Sequence, residues 1–383
     1  MRVALISGAR TVDDGAVKGT AAYVSSLAVA LKELGHEIHV FRSEAARHSE
    51  YRRVNDIHYH MVSNDSRIMS SHSLCEAMLY YLTETQGVAG PFDVVHAHHR
   101  ALLPVLDEMK ANGHAKVYLS LHSDSGLAGR NGTIKDASWG LVATLNGIAA
   151  SSRSLRDRIS DRLALNPRWI QVMYPGIDQK KYSRWVDTRK VKQQAGFYAD
   201  DRLILFVGEL TRSLGPDLLL EATFEIVHEF PTVKLVLLGD GPMAPYLRER
   251  AKVLGIFHSV RFLGFPKEDQ IIDLYNACDV VCVPARSGHA DQTVLEAWSA
   301  GKPTIVSQST APEFLEPYTN GLTPKPEVAA IMQDILACLR DNRFATELGN
   351  QGWHTVNREL SWAAIARRYE GIYKQNGNGR EAL

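Results

Sequence analysis

Residues 284–303 read PARSGHADQTVLEAWSAGKP and follow an apolar run, Asp279–Val283. The run predicts a buried strand, and the polar loop after it leads into a helix expected to begin near Thr293 and to end at residues 301–303. Glu296 is then expected in the first helical turn. In an open parallel sheet, ligands bind in loops at the carboxyl ends of strands, where a helix N-terminus favours anionic groups. This stretch therefore predicts a ligand site in an α/β protein.

The same alternation of apolar strands and helices extends over the whole chain. Strand Val3–Ile6, a helix over about residues 20–34 and strand Glu37–Phe41 form a βαβ unit, which implies a parallel sheet. A second series begins at strand Leu203–Val207 and runs to strand Thr304–Val306. We therefore predict an α/β fold with two Rossmann-like domains, whose parallel sheets face each other across a cleft.

Domain boundaries are predicted from turn-forming and charged segments. A length of 383 residues exceeds what one hydrophobic core usually organises. Tyr174–Asp178 is a cluster of turn formers, and a charged, weakly patterned stretch follows at Asp187–Gln194. We expect an N-terminal domain over residues 1–172 and a C-terminal domain over residues 173–361. The last helix, within residues 362–383, is expected to pack back on the N-terminal domain.

Composition excludes several classes of protein. The 43 basic and 43 acidic residues balance, which argues against nucleic acid as a partner. Four cysteines without a Cys-x-x-Cys pair fit a reducing compartment. The N-terminal apolar run is too short for a signal peptide, and no segment approaches 18 apolar residues. We expect a soluble cytoplasmic protein, with peripheral contact at the inner face of the membrane left open.

Eight short motifs follow one another along the chain: Gly35-His36-Glu37-Ile38, Asp93-Val94-Val95-His96-Ala97-His98, Tyr174-Pro175-Gly176-Ile177-Asp178, Phe206-Val207-Gly208, Leu238-Gly239-Asp240-Gly241-Pro242, Phe262-Leu263-Gly264, Leu295-Glu296-Ala297 and Gly301-Lys302-Pro303. Each alone is weakly specific. Their order and spacing together resemble the family 4 retaining glycosyltransferases over nearly the whole length. The resemblance implies the two-domain GT-B fold.

The resemblance also implies an activity. Such enzymes move a hexose-type sugar from a nucleotide-diphosphate sugar to a hydroxyl acceptor, which is a glycan, a lipid or a small molecule. Residues 1–172 are then expected to bind the acceptor and residues 173–361 the donor. These enzymes usually stabilise the leaving diphosphate with backbone amides, helix dipoles and basic side chains. We therefore expect no cofactor and no metal site, and the donor base, sugar, acceptor and oligomeric state stay open.

Three residues match positions that the family uses. Glu296 corresponds to the glutamate that accepts hydrogen bonds from the ribose, although an ordinary acid near a helix N-terminus is the alternative. His122, at the end of a predicted strand, corresponds to the histidine near the transferred sugar, and a satisfied loop histidine is its alternative. Gly19 corresponds to the second glycine of an N-terminal Gly-Gly turn that approaches the phosphates or the acceptor, with Lys18 in place of the first.

The expected diphosphate site departs from the family pattern. There, an Arg usually follows the glycine at Gly208, and a Lys stands five positions after that Arg. Here Glu209 and Leu214 occupy the two positions. Charge-assisted hydrogen bonds contribute roughly 1.5 to 3 kcal/mol each, so this difference is large. Arg212, in the same loop, is the candidate replacement. Two further basic residues are candidates for the same role or for a solvated surface: Arg286 and Lys302.

The expected sugar site departs as well. In the family, the first glutamate of a Glu-x7-Glu motif orients the hydroxyls of the transferred sugar, and its position here is Gly288. Asp291 and His289 are candidates to take over part of that contact, and we group them with His122 as catalytic candidates. Asp291 itself stands at a position that is usually glycine. Thr293 is placed with Gly208 and Gly288 among the donor-binding candidates.

Three histidines, His96, His98 and His99, lie close together in sequence. In an alternating strand the first two share one face and the third lies opposite. A structural role is favoured over a metal site, with His98 reaching toward the cleft.

Two further functions stay open beside the transferase. One is a degenerate relative that binds a sugar, a nucleotide or a partner without turnover, which the residues at Glu209, Leu214 and Gly288 favour. The other is a transferase of the same fold with an atypical donor, such as one with fewer phosphates.

Overall fold

The computed structural model of the chain describes residues 1–7, 19–44, 48–63, 71–113, 115–123, 137–288 and 290–375. These residues form two compact units. Unit 1 consists of Met1–Gly176 together with Trp362–Leu383, and unit 2 consists of Ile177–Ser361. Each unit is Rossmann-like and has its own parallel sheet, so the predicted α/β class is confirmed.

Unit 1 contains eight strands and five longer helices among its described residues. The strands are β1 Arg2–Ser7, β2 Glu37–Glu44, β3 Glu50–Val54, β4 Ile57–Ser63, β5 Val94–Ala97, β6 Lys116–Leu121, β7 Gly147–Ala150 and β8 Ile170–Val172. The helices are α1 Thr20–Glu33, α2 Ser71–Ala89, α3 Leu103–Ala111, α4 Arg153–Leu163 and, at the end of the chain, α13 Trp362–Lys374.

The sheet of unit 1 has the order β3-β4-β2-β1-β5-β6-β7-β8. All neighbours are parallel except β3, which pairs antiparallel with β4. The strands are apolar because both faces of the sheet are covered. Val3 and Leu5 pack on the face of α1 and α13, while Ala4 and Ile6 pack on the face of α2 and α3.

Hydrogen bonds between polar side chains join α13 to the rest of unit 1. The hydroxyl of Tyr373 lies 2.6 Å from Nδ1 of His96, whose Nε2 lies 2.8 Å from Oγ of Ser120. That Oγ lies 3.0 Å from the hydroxyl of Tyr369, which in turn lies 3.1 Å from the hydroxyl of Tyr23. Because these groups are buried, each pairing offsets the cost of removing a polar atom from water.

Unit 2 contains five strands and eight helices among its described residues. The strands are β9 Arg202–Val207, β10 Val233–Leu238, β11 Val260–Gly264, β12 Val280–Val283 and β13 Thr304–Val306. The helices are α5 Gln179–Tyr182, α6 Thr188–Gln194, α7 Pro216–Glu229, α8 Ala244–Val253, α9 Glu268–Ala277, α10 Asp291–Ser299, α11 Val328–Arg340 and α12 Asn342–Thr355.

The sheet of unit 2 has the order β11-β10-β9-β12-β13, and all its strands are parallel. The order reverses at β9, because β10 lies on one side of it and β12 on the other. In doubly wound sheets, ligands bind at the carboxyl ends of the strands at such a switch point. The loops that follow β9 and β12 are therefore the place to look for a site in unit 2. Among the described helices of the chain, none is long and apolar enough to cross a membrane.

Candidate functional site

Helix α10 begins earlier than the sequence predicts. The amide of Val294 already donates to the carbonyl of Ala290 at 3.0 Å, so the first helical residue is Asp291 and not Thr293. Glu296 consequently lies in the second turn, and the prediction that it lies in the first turn is wrong. The helix ends at Ser299 as the motif Gly301-Lys302-Pro303 predicts, within two residues.

The carboxylate of Glu296 is held by three side chains. Its Oε1 accepts hydrogen bonds from the hydroxyl of Tyr182 and from Nε2 of Gln292, both at 2.8 Å. Its Oε2 accepts the hydroxyl of Tyr275 at 2.7 Å. The three donors come from α5, α10 and α9, so residues distant in the sequence fix the orientation of this one acid.

Burial raises the pKa of both tyrosines, and the neighbouring Glu296 carboxylate raises each pKa further. Tyr182 and Tyr275 therefore remain protonated and act as donors at neutral pH. A carboxylate offers about four acceptor positions, and three are used here, two of them on Oε1. Oε2 keeps one position for a further donor such as a ligand hydroxyl. The side-chain amide of Gln292 is exposed, so it can move away from Glu296 and free a second acceptor position, on Oε1.

Sequence reasoning identified Glu296 but missed its three donors. Gln292 lies four residues before Glu296 on the same helix, and this i, i+4 spacing is a signal that could have found it. Tyr182 follows the Tyr174–Asp178 motif, and Tyr275 lies in α9, but no local pattern connects either of them to Glu296. Only packing brings them together.

The loop between β9 and α7 contains the expected diphosphate site. Glu209 and Arg212 are exposed, and the guanidinium of Arg212 forms no ion pair with any residue that the structure describes. Leu214 turns inward instead: its Cδ1 lies 2.9 Å from where a Cβ on Gly208 would stand. Its Cδ2 lies 3.9 Å from the same point on Gly288. The residues in place of the family's lysine and first glutamate are thus neighbours in space.

The close approach of two loops accounts for the glycine that follows Leu214. Gly215 has a φ of +73° and caps α7, and a Cβ on it would lie 2.2 Å from the carbonyl oxygen of Pro284. Only glycine fits this contact. The loop after β12 therefore lies directly against the start of α7.

Gly288 adopts a backbone conformation that a glutamate would rarely share. Its φ is +102°, in the region that L residues avoid because the Cβ collides with the backbone. A glutamate at this position would therefore strain the loop.

Arg286 is already engaged by an acid. Its Nη1 and Nη2 donate to Oδ1 and Oδ2 of Asp217 at 2.8 and 2.7 Å, and its Nη1 also donates to the carbonyl of Arg212 at 2.8 Å. Burial acts to raise the pKa of Asp217, but the Arg286 guanidinium outweighs it and holds that pKa below its ordinary value. Arg286 is thus a poor replacement for a phosphate-binding cation.

Lys302 is also badly placed for that role. Its amide donates to the carbonyl of Ala297 at 2.9 Å, which puts it beyond the C-terminal end of α10. A phosphate is favoured at the opposite end of the helix, where the amides point outward. Of the three basic candidates, only Arg212 is exposed and without an ion pair among the described residues.

The remaining candidates of unit 2 cluster at the start of α10. Asp291 is the first residue of the helix, where the dipole favours an acid. The Oγ1 of Thr293 lies 3.5 Å from the carbonyl oxygen of Val207, at the end of β9. His289 lies outside the described residues.

In unit 1, the candidates lie at the carboxyl ends of β5 and β6. Gly19 caps α1 with a φ of +62°. His122 follows β6, and its Nε2 lies 3.1 Å from Nδ1 of His98, which follows β5. The two imidazole rings stack with their centroids 5.4 Å apart, and the ring of Tyr23 lies 4.5 Å from that of His122. The structure thus places His122 and His98 together in unit 1.

Both rings of this pair are neutral at physiological pH. Burial lowers the pKa of His122 to about 4 and lowers the pKa of His98 as well. The Nε2 of His98 is buried and has no hydrogen-bond partner among the residues that the structure describes. A neutral His122 can donate or accept one hydrogen bond through each ring nitrogen, but it carries no charge with which to bind a phosphate.

The predicted arrangement of His96, His98 and His99 is confirmed. The rings of His96 and His98 share one face, with centroids 4.3 Å apart, and His99 is exposed and accepts the amide of Ala101. Both nitrogens of His96 are engaged in the network that fastens α13. The three therefore do not form a ligand set.

A different group of side chains could hold a metal ion, and the expectation of no metal site stays a prediction. One ligand atom from each of Glu37, His39 and His58 lies within 4.8 Å of the others. This group belongs to β2 and β4 and takes no part in the candidate site at the carboxyl ends of the strands. Glu37 and His39 alternate on β2, but His58 comes from β4, so only the pairing of the two strands reveals the group.

Comparisons with known proteins agree with this architecture. The family described as glycosyl transferases group 1 matches residues 187–354, and glycosyltransferase family 4 matches residues 17–181. Together these two matches cover most of both units.

Similar proteins match over almost the whole chain. An uncharacterized glycosyltransferase of Methanocaldococcus jannaschii is 28% identical over 94% of each chain. A glycosyltransferase structure from Rickettsia africae matches with a TM-score of 0.74 and 16% identity, covering 97% of this chain and 98% of the other. The structure of Anabaena HepE in complex with UDP matches with a TM-score of 0.69 and 17% identity, covering 97% and 99%. The chain therefore belongs to the group 1, or family 4, glycosyltransferases and has their GT-B fold.

Proposed function

We propose that this protein is a retaining glycosyltransferase that moves a hexose-type sugar from a nucleotide-diphosphate sugar to a hydroxyl acceptor. Unit 2 binds the donor, and unit 1 binds the acceptor, which is a glycan, a lipid or a small molecule. The observation that carries the proposal is the orientation of Glu296 by Tyr182, Tyr275 and Gln292, which leaves an acceptor position on Oε2.

In this proposal Glu296 binds the ribose of the donor. Its carboxylate accepts a ribose hydroxyl at the vacant position, and the two tyrosines keep it from rotating away. An acid that only stabilised the helix N-terminus would lie in the first turn and would not need three donors. The Anabaena protein was solved with UDP, which makes UDP the first nucleotide to test.

The diphosphate is proposed to bind at the loop after β9 and the start of α10. The backbone of Gly208 lies there, and the amides at the N-terminus of α10 favour an anion. Arg212 supplies a cation, because it is exposed and lacks an ion pair among the described residues. Glu209, exposed in the same loop, opposes the binding of phosphate, so a donor with fewer charges is the alternative to a nucleotide-diphosphate sugar.

Candidate residues for the transferred sugar are proposed in each unit. Asp291 and His289 replace part of the hydrogen bonding of the glutamate whose position is Gly288, and Thr293 follows Asp291 in α10. His122 contributes a neutral hydrogen-bonding group, and Gly19 lets the backbone approach the ligand. Retention of configuration is ascribed to attack from the face that the leaving phosphate departs from, with that phosphate accepting the proton of the acceptor. No side-chain nucleophile or metal takes part.

A second candidate function is supported by the loop around Gly288. An apolar side chain, Leu214, lies beside it, and the φ of +102° disfavours any side chain there. These residues fit a degenerate protein that binds a nucleotide or a sugar without turnover. The two functions differ in hydrolysis or transfer of the donor, not in binding of the nucleotide.

Thermal shift with UDP, GDP, ADP and TDP, and with their sugars, tests binding first. We expect at least one nucleotide to raise the melting temperature of the wild-type protein, and the Glu296→Ala variant to lose most of that rise. Stabilisation by none of them would refute both candidate functions at the donor site. Release of free sugar from the donor that binds then separates the transferase from the degenerate protein.

A further inference from the structure

A cluster of imidazole rings lies on one face of the edge of the unit 1 sheet. Strands β2 and β4 are parallel neighbours, and their register pairs His39 with His58 and Phe41 with His60. Since side chains alternate along a strand, Glu37 shares the face of His39 on β2. The cluster lies near the amino end of β2, whereas His98 and His122 follow the carboxyl ends of β5 and β6. It is therefore distinct from the candidate transfer site.

The spacing of the donor atoms suits a small divalent metal. Nε2 of His39 lies 3.2 Å from Oε1 of Glu37. Two ligands of a tetrahedral Zn²⁺, each at 2.0 to 2.1 Å from the ion, are about 3.3 Å apart. The donor atom of His58 lies within 4.8 Å of both, so a rotation of that ring completes a set of three ligands. Glu37 is exposed, which leaves a fourth position open to water.

Each of the three donors is oriented by a partner of its own. Nδ1 of His39 lies 3.1 Å from Nε2 of His60, and Nδ1 of His58 lies 2.8 Å from the hydroxyl of Tyr51. With both Nδ1 atoms occupied, the Nε2 atoms are the ones that remain for a metal. Metal-bound histidines characteristically use their second ring nitrogen in such a contact, which fixes the tautomer.

Arg2 orients the carboxylate of Glu37. Its Nε and Nη2 donate to the two oxygens of Glu37 at 2.9 and 3.1 Å. This pair occupies one side of the carboxylate and leaves the side of Oε1 that faces His39. Metal-bound carboxylates are commonly hydrogen-bonded in this way. Each of the three proposed metal ligands is thus hydrogen-bonded to a neighbouring side chain.

We propose that Glu37, His39 and His58 bind one Zn²⁺ ion, which joins β2 to β4 and keeps water in its fourth position. On binding, the metal takes the place of the proton on Nε2 of His39, and this proton moves through solvent to Nδ1 of the same ring, so that the ring stays neutral. Nδ1–H of His39 then donates a hydrogen bond to Nε2 of His60, which keeps its own proton on Nδ1. The competing explanation is a packed group of stacked rings, since His39 and His58 stack with centroids 4.4 Å apart. Stacking alone does not require an ionised acid at hydrogen-bond distance from one of the rings.

Titration calorimetry with Zn²⁺ on the chelator-treated full chain tests the proposal. We expect one ion per chain, and at least tenfold weaker binding in Glu37→Gln and in His58→Ala. His48→Ala is the matched control, because His48 is exposed and outside the cluster, and it should bind as the wild type does. Circular dichroism verifies that each variant is folded.

Substitution by Co²⁺ supplies a second readout that does not depend on stability. The wild type and His48→Ala should show the absorption bands of tetrahedral cobalt, and His58→Ala should lose them. Absence of stoichiometric binding in the wild type would overturn the proposal. Equal binding by Glu37→Gln, His58→Ala and the wild type would overturn it too, because the ion would then lie elsewhere.

Discussion

Two parts of unit 2 that meet at α10 are held in different ways. Glu296, in the second turn, is fixed by side-chain donors from three helices. Gly288, in the preceding loop, carries no side chain and lies against the apolar Leu214. The first part offers a rigid polar acceptor, and the second offers a backbone conformation that few residues can adopt. In the proposed function the first part binds the nucleotide and the second lies at the sugar, so the comparison separates the two kinds of recognition within one strand–loop–helix stretch.

The largest expected effect comes from the Glu296 side of this comparison. Glu296→Gln keeps the shape but removes the charge that receives the tyrosine hydroxyls. We expect nucleotide affinity to fall at least tenfold and the free energy of unfolding to fall by about 2 to 3 kcal/mol. Calorimetric titration and urea unfolding measure the two. Glu225→Gln, at an exposed site on α7, should change neither, and an unaltered affinity in Glu296→Gln would remove the ribose assignment.

The ion pair between Arg286 and Asp217 tests how the loop before α10 is held. Arg286→Gln should lower the free energy of unfolding by about 1 to 2 kcal/mol, because a bidentate, half-buried pair is lost. Arg340→Gln, which breaks an exposed bidentate pair with Glu229, is the control and should have less effect. Urea unfolding measures both.

The effect of Arg286→Gln should depend on pH. Arg286 depresses the pKa of Asp217, so its contribution is present above the unfolded-state value near about 3.9 and is lost as pH falls through the lower folded-state value. Wild type and variant should therefore converge in stability in strongly acidic solution. A difference that stays constant from pH 7 to acid would show that the pair is not its source.

The backbone conformation of Gly288 predicts a loss of stability similar to that of Arg286→Gln. Gly288→Ala should lower the free energy of unfolding by roughly 1 to 2 kcal/mol, since φ is positive there. Gly371→Ala, in α13 with open space around it, should instead raise stability. Thermal unfolding of the two variants decides between them. If Gly288→Ala is as stable as the wild type, the loop rearranges freely and the positive φ of Gly288 does not exclude a side chain.

The smallest expected effect distinguishes the two tyrosines that hold Glu296. Tyr275→Phe should lower the free energy of unfolding by about 1 kcal/mol and weaken nucleotide binding severalfold, because one donor is lost. Tyr182→Phe should lower the free energy of unfolding by less, since Tyr182 is 8% exposed and Tyr275 is 0% exposed. Tyr198→Phe, at an 82% exposed position, is the control. Equal stability of Tyr275→Phe and Tyr198→Phe would show that the hydrogen bond adds nothing.

The sequence predicted the repeated strand and helix pattern well but missed some elements. The hairpin of β3 and β4 was not predicted, because Glu50–Val54 is exposed throughout and lacks an apolar pattern. Asn55 and Asp56, both with positive φ, form its tight turn, and this dipeptide was the available signal. The start of α10 was misplaced by two residues, because Asp291 and Thr293 are both acceptable near a helix start.

By itself, the sequence determined the two parallel sheets, the helix that ends near Gly301 and the presence of an acid at Glu296. These features follow from the period of apolar residues and from turn formers, which are local. Only the tertiary structure decided that Tyr182 and Tyr275 hold Glu296, that Asp217 engages Arg286, and that Glu37 meets His58. Each of these contacts joins residues of different elements. The contacts of Glu296 and of Arg286 are at hydrogen-bond distance, and strand pairing brings ligand atoms of Glu37 and His58 within 4.8 Å of each other.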